Sequence, residues 1–199
     1  MRKAHSGGEL GKDPVGWSYR KGMEAVVTEQ SDIGVPGLRL RFAAVDDVGV
    51  VLGFIRELAD YEKLSHEVVA DEATLRRSLF GDRQVAEVLI AEYHNAPVGF
   101  AWFFHNSSTF LGRPGIYLED LYVKPEARGR GIGTALLTYI ARSATERGCG
   151  RVEWWVLDWN RAAIEFYDRL GAVPMDGWTV FRLTGEALED LAGAHGPGR

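Results

Sequence analysis

The sequence predicts an α/β domain built on a mixed, mostly antiparallel sheet, and three observations carry that expectation. Short β-rich runs alternate with segments of helical apolar spacing. Near the middle, two β-rich runs are joined by His94-Asn95-Ala96-Pro97, a hairpin signal that makes neighbouring strands antiparallel. Further on, a strand runs through a glycine-rich turn straight into a long helix.

The elements follow in order. Residues 1–37 hold scattered glycines and no sustained apolar periodicity, so they are expected to form a flexible N-terminal leader. Residues 38–192 are read as the folded domain and 193–199 as a disordered tail. Residues 38–42 alternate as a strand; Asp46 and Asp47 then precede Val50, Val51, Phe54, Ile55 and Leu58 at helical spacing behind an acidic first turn. The stretch 57–68 turns polar, and a short helix over 71–80 is stopped by Gly81 and Asp82. Strands are expected at 85–92, 98–104 and 116–123, with a loop over 106–115. A helix over 131–147 places Ile132, Ala135, Leu136, Tyr139, Ile140 and Ser143 on one face, and Gly148 ends it. A strand at 151–157, a helix capped by Asn160 with Ala163, Ile164, Phe166, Tyr167 and Leu170 inward, a strand at 178–183 and a short helix from Thr184 complete the chain.

Composition excludes several classes of function. With 46% hydrophobic and 26% charged residues, the 199-residue chain can bury a core. Lys and Arg number 23 against 28 Asp and Glu, a net charge of −5, so no broad basic face exists to neutralise nucleic-acid phosphates. No window nears the ~18 apolar residues of a membrane helix, and no secretory signal is visible. The single cysteine, Cys149, rules out an internal disulfide and suits a reducing compartment, with cytoplasm the expectation. No His/Cys cluster has metal-ligand spacing, so no metal is expected.

The chemistry concentrates in two places. Arg128-Gly129-Arg130-Gly131-Ile132-Gly133-Thr134 lies between a strand and a helix, where main-chain N–H groups and the positive helix end can hold a phosphate. It lacks the Gly-Lys-Ser/Thr of a Walker loop, and its GxGxG spacing sits far from any first strand of a dinucleotide fold. On residues alone it is either a tight turn or an anion seat, and Arg128 and Arg130 favour the anion. Glu119 and Asp120 are adjacent carboxylates in an otherwise apolar strand, so one is expected on each side of the sheet.

Arg128-x-x-Gly131-x-Gly133 after the strand Tyr117-Leu118-Glu119-Asp120-Leu121-Tyr122-Val123 resembles the acetyl-CoA motif of the GNAT superfamily of N-acetyltransferases. The stretches ELADYEKLSHEV, VGFAWFF, YLEDLYVKPEARGRGIG, VLDWNRAAIEFYDRLGA and GWTVFRL, in matching order from about Leu38 to Leu191, resemble its spermidine/spermine and thialysine N-acetyltransferase branch. The resemblance implies a GNAT-like sheet whose middle strands splay, with helices on both faces. Pantetheine of acetyl-CoA would lie in the gap and pair with the main chain of Leu121, Tyr122 and Val123, while the pyrophosphate would rest on the amides of residues 129–134 beside Arg128. Asn160, Ala163 and Tyr167 are the other implied acetyl-CoA contacts.

It further implies acetyl transfer to a small-molecule primary amine by direct attack in a ternary complex, usually in a homodimer. Glu119 would be the base that deprotonates the ammonium, and Tyr167 the acid that protonates the departing thiolate. Tyr61, Glu62, Glu119, Glu153, Trp154, Trp155 and Asp176 would line the cation pocket. VLDWN stands nearer the thialysine-type member, while the loop 173–177 is shorter and Phe110 replaces an expected tryptophan. The alternatives carried are a protein N-terminal or lysine acetyltransferase and a non-catalytic acyl-CoA sensor.

Overall fold

The computed structural model describes residues 34–193; the expected leader, up to residue 33, and the expected tail after 193 lie outside the described residues. The chain divides after Trp155 into two compact units.

The first unit is a five-stranded sheet with strands in sequence order: β1 (Leu38–Phe42), β2 (Glu87–Tyr93), β3 (Ala96–Ser108), β4 (Arg113–Val123) and β5 (Val152–Glu153). The first three pairings are antiparallel and β4–β5 is parallel, so the sheet is mixed as expected. The β2–β3 turn is built on His94 (φ 50°) and Asn95 (φ 64°), two consecutive left-handed residues whose twist suits a tight hairpin. Loop 106–115 shrinks to a short turn, because β3 runs on to Ser108 and β4 begins at Arg113. The added pairs Asn106↔Gly115 to Ser108↔Arg113 satisfy main-chain groups that an irregular loop would leave to water.

Three helices of this unit flank the sheet. Helix α1 (Val48–Tyr61) buries Val51 and Phe54, and Phe54 stacks on Phe100 of β3 with centroids 5.4 Å apart and planes 9° from parallel. It runs three residues past the apolar stretch, since its last turn carries Tyr61 and Glu62 to the rim. Helix α2 (Glu72–Phe80) starts where the Asp71 carboxylate accepts the Thr74 N–H at 2.7 Å. Helix α3 (Ile132–Glu146) buries Ile132, Leu136 and Ile140, and its Tyr139 meets Phe42 edge-on at 5.9 Å. Because strand residues alternate between faces, Phe100 serves the α1 side while Phe103 faces Phe42 on the α3 side.

Two arginine clamps fix the margins. Arg41 donates to both Asp47 oxygens, at 2.6 and 2.8 Å, and to Glu92 at 2.7 Å. Arg147, just past α3, makes a two-pronged pair with Glu87 of β2. Bidentate, half-buried pairs of this kind hold orientation more than an exposed pair does.

The second unit holds α4 (Arg161–Arg169) and α5 (Gly185–Gly193). The Asn160 side chain caps α4 as expected, accepting the Ala163 N–H at 3.3 Å. Ala163, Ile164, Phe166 and Tyr167 are half-buried, whereas Leu170, expected inward, is exposed. Leu170 sits past the last helical residue, where the turn no longer repeats the apolar stripe. Residues 178–183 form no strand, and the strand expected at 151–157 contracts to Val152–Glu153. Strand propensity is realised only through a ladder partner, and these apolar runs lack one among the described residues.

Phe100 is fully buried between α1 and β4. Phe100→Ala is expected to cost about 3–5 kcal/mol by removing the ring that Phe54 stacks on, read as a lower urea midpoint with an unchanged m-value.

Candidate active site at the free edge of β4

Strand β4 organises the site. On one edge it pairs with β3 along its length; on the other it pairs with β5 only through Ile116↔Val152 and Tyr117↔Glu153. Past Tyr117 the strands part, as expected of splayed middle strands, and among the described residues no strand pairs with the main chain from Leu118 to Val123 on that edge. Such an edge accepts an extended ligand by β-pairing. Leu121 and Val123 sit in this stretch, paired on the other side with Ala101 and Gly99. A side chain at Gly99 would bring a Cβ to 2.5 Å from the Tyr122 carbonyl oxygen, so glycine lets the two strands close.

The β3–β4 register breaks at the carboxylates. The ladder passes from Phe103↔Leu118 to Trp102↔Asp120 and skips Glu119, so Glu119 is the extra residue of a β-bulge. Simple alternation, with the two acids on opposite faces, is therefore replaced by a local kink. Glu119 is exposed and Asp120 half-buried. Desolvation, with the nearby charges of Glu119 and Glu62, pushes the Asp120 carboxyl up to about 7. Burial also pushes Glu62 above the ordinary carboxylate range. Glu62 follows the last residue of α1 and its N–H donates to the Leu58 carbonyl at 2.9 Å, so the helix end presents it beside Tyr61. Three carboxylates thus converge near the kink, an environment that favours a cation.

The glycine-rich turn leads from β4 into α3. A 3-10 turn at Pro125–Ala127 precedes Arg128, and Gly129 (φ 75°) and Gly131 (φ 82°) take left-handed conformations that side-chain-bearing residues rarely adopt. Alternating left-handed residues at a helix start turn successive N–H groups to one side, where an anion can sit. Ile132 is buried and anchors the turn; Gly133 and Thr134 supply first-turn amides that no intrahelical carbonyl can reach. The Arg130 guanidinium lies 5.5 Å from the centre of the Tyr93 ring. Arg128 lies 4.7 Å from the centre of Tyr61 and 5.8 Å from that of Tyr122, and its Nε donates to the Val123 carbonyl at 2.9 Å. Burial and the Glu57 carboxylate, which accepts the Tyr122 hydroxyl, push that phenol up to about 12. Glu57 in turn pairs with Lys124 at 3.2 Å.

The structure therefore brings together Tyr61, Glu62, Glu119, Leu121, Tyr122, Val123 and residues 128–134. It gives Glu153 other partners: its carboxylate takes the Asn106 amide at 2.9 Å and lies 2.8 Å from Arg151 Nε. Trp154 is half-buried, and the exposed Trp155 meets Tyr117 edge-on at 5.7 Å, at the paired end of β4. Asn160, Ala163, Tyr167 and Asp176 belong to the second unit. There Tyr167 sits on α4 with its ring 5.3 Å from that of Phe166, and Asp176 lies in an exposed turn. Asp120 was not among the expected site residues, although two adjacent acids in an apolar strand were the signal for it.

The sign of the Asp120 shift fixes a pH dependence. Its folded value, about 7, lies above the ordinary 3.8. Between these values the folded state keeps a proton that the unfolded chain has lost, so stability falls as pH rises through the window. Asp120→Asn is expected to stabilise the protein by about 1–3 kcal/mol near pH 8 and to change little near pH 4, measured by urea unfolding at both.

Comparison with known proteins agrees with this geometry. Residues 55–172 match the acetyltransferase (GNAT) family. The thialysine N-epsilon-acetyltransferase of Bos taurus is 43% identical over 165 residues, covering 77% of this chain and 96% of that protein. The L-ornithine N5-acetyltransferase of Arabidopsis thaliana is 32% identical over 198 residues, covering 77% and 87%. Among solved structures, an integron cassette protein from the mobile metagenome of V. cholerae superposes with a TM-score of 0.67 at 26% identity, covering 78% of this chain and 98% of that one.

Proposed function

From the premise that this chain belongs to the acetyltransferase (GNAT) family and is an acetyl-CoA-dependent N-acetyltransferase, we propose that its acceptor is a small primary amine carrying a further cationic group, of the polyamine, diamine or thialysine kind. The observation that supports this reading most is the group of three carboxylates, Glu62, Glu119 and Asp120, beside the unpaired edge of β4. The relatives named above, for thialysine and L-ornithine, act on acceptors of that chemistry.

In this reading acetyl-CoA lays its pantetheine along Leu121, Tyr122 and Val123 and its pyrophosphate on the amides of residues 129–134. The amine enters as an ammonium, with an ordinary pKa near ~10.4, and must lose a proton before it can attack. Glu119 accepts that proton, through water, from its exposed position on the bulge. Asp120 and Glu62 hold the positive charge: a cation beside Asp120 offsets the desolvation and like-charge repulsion that raised its pKa and favours the carboxylate. The freed nitrogen lone pair forms a bond to the thioester carbonyl carbon. Main-chain N–H groups near Leu121 stabilise the oxyanion. The C–S bond then breaks as Tyr167 gives its phenolic proton to the leaving thiolate, the newly acylated nitrogen sheds its second proton to solvent and water returns a proton to Tyr167, yielding the N-acetyl product and CoA. A homodimer and a cytoplasmic setting belong to the same reading, the first checked by light scattering.

The direct test incubates the protein with acetyl-CoA and a panel of spermidine, spermine, putrescine, thialysine, ornithine and lysine, following CoA release and product mass. Preference for one diamine or lysine analogue is the expected outcome; turnover only with peptide N-termini or protein lysines would overturn the acceptor assignment. Glu119→Gln is expected to lower kcat about 10²-fold and to restore part of it at high pH, where more amine is already neutral. Tyr167→Phe should lower kcat with CoA affinity kept, as single-turnover kinetics and CoA titration would report.

A further inference from the structure

We infer that Tyr61, besides its place at the acceptor end of α1, is a positioning residue for the nucleotide: it holds Arg128 in the orientation that receives the pyrophosphate. The inference deepens the reading of the glycine-rich turn as the pyrophosphate seat and rests on it. A guanidinium is a flat cation with a donor fork in its plane and two faces that favour aromatic rings. Arg128 has both kinds of contact fixed by the fold. Tyr61, the last residue of α1, lies 4.7 Å from its central carbon, Tyr122 of β4 lies 5.8 Å away, and its Nε is spent on the Val123 carbonyl at 2.9 Å.

Ring contacts and one main-chain bond restrain a long, otherwise freely rotating side chain that is exposed to solvent. Among the described residues, no hydrogen bond takes its two terminal nitrogens. These two nitrogens are the ones that grip phosphate oxygens in pairs. The arrangement therefore meets the entropy cost of ordering Arg128 before the nucleotide arrives.

The test is a double-mutant cycle read by calorimetric titration with CoA alone, which requires no acceptor amine and no turnover. Tyr61→Leu is expected to weaken CoA binding about 2- to 5-fold, the range of an exposed cation–π contact. Tyr61→Phe, which keeps the ring, should bind like the parent. In an Arg128→Gln background Tyr61→Leu should have no further effect. An equal loss in both backgrounds, or no loss with Arg128 present, overturns the inference and leaves the acetyltransferase reading untouched. Unchanged CoA binding in Arg128→Gln itself overturns both the inference and the place of Arg128 in the pyrophosphate seat. A thermal melt of each variant verifies folding, and Tyr61→Gln takes the place of Tyr61→Leu in the same cycle if the leucine variant does not fold.

Discussion

Strand β4 must satisfy two opposite demands, and the rest of the first unit is arranged around them. One edge has to be locked into the sheet so that the strand stays rigid; the other has to stay open past Tyr117 so that a ligand can complete the ladder. The antiparallel pairing with β3 meets the first demand along the whole strand. The early end of the β5 ladder meets the second. An open strand edge is normally a liability, and it is also the geometry by which an extended ligand can add to a sheet.

The bulge at Glu119 adds chemistry to that edge. Without it, strict alternation would send neighbouring acids to opposite faces; with it, the strand kinks, and Asp120 lies within electrostatic reach of both Glu119 and Glu62. Holding acids together this way costs stability near neutral pH, because desolvation and like charge both oppose ionisation. The fold offsets the cost elsewhere. The Phe54–Phe100–Tyr122 ring cluster packs one face of the sheet, and the Arg41 and Arg147 clamps pair its margins.

The second end of the site follows from glycine. Gly129 and Gly131 turn their neighbours' amides toward one side of the helix start, while the buried Ile132 keeps the turn from shifting. Arg128 joins this glycine-rich turn to α1 through its contact with the Tyr61 ring.

Sequence alone determined what depends on local pattern. The apolar spacing of α1 and α3, the Asp71 and Asn160 caps and the His94-Asn95 turn are short-range events whose energetics lie within a few residues. The ordered stretches from ELADYEKLSHEV to GWTVFRL, with Arg128 to Gly133 among them, also carried the resemblance to the family. Tertiary structure decided the rest. Residues 178–183 read as a strand, yet a strand exists only through its partner. The loop expected at 106–115 became ladder because Asn106 and Ser108 found Gly115 and Arg113 across the turn. Glu153, expected in the cation pocket, turns one oxygen, Oε2, to both the Asn106 amide and the Arg151 guanidinium. Asp120 gained its shifted protonation from burial first, and then from the charges of Glu119 and of Glu62, 58 positions earlier, surroundings that only folding creates. In these cases the outcome depends on a contact, whether across a turn as for Ser108 and Arg113 or across the fold as for Asp120 and Glu62, that no apolar periodicity records.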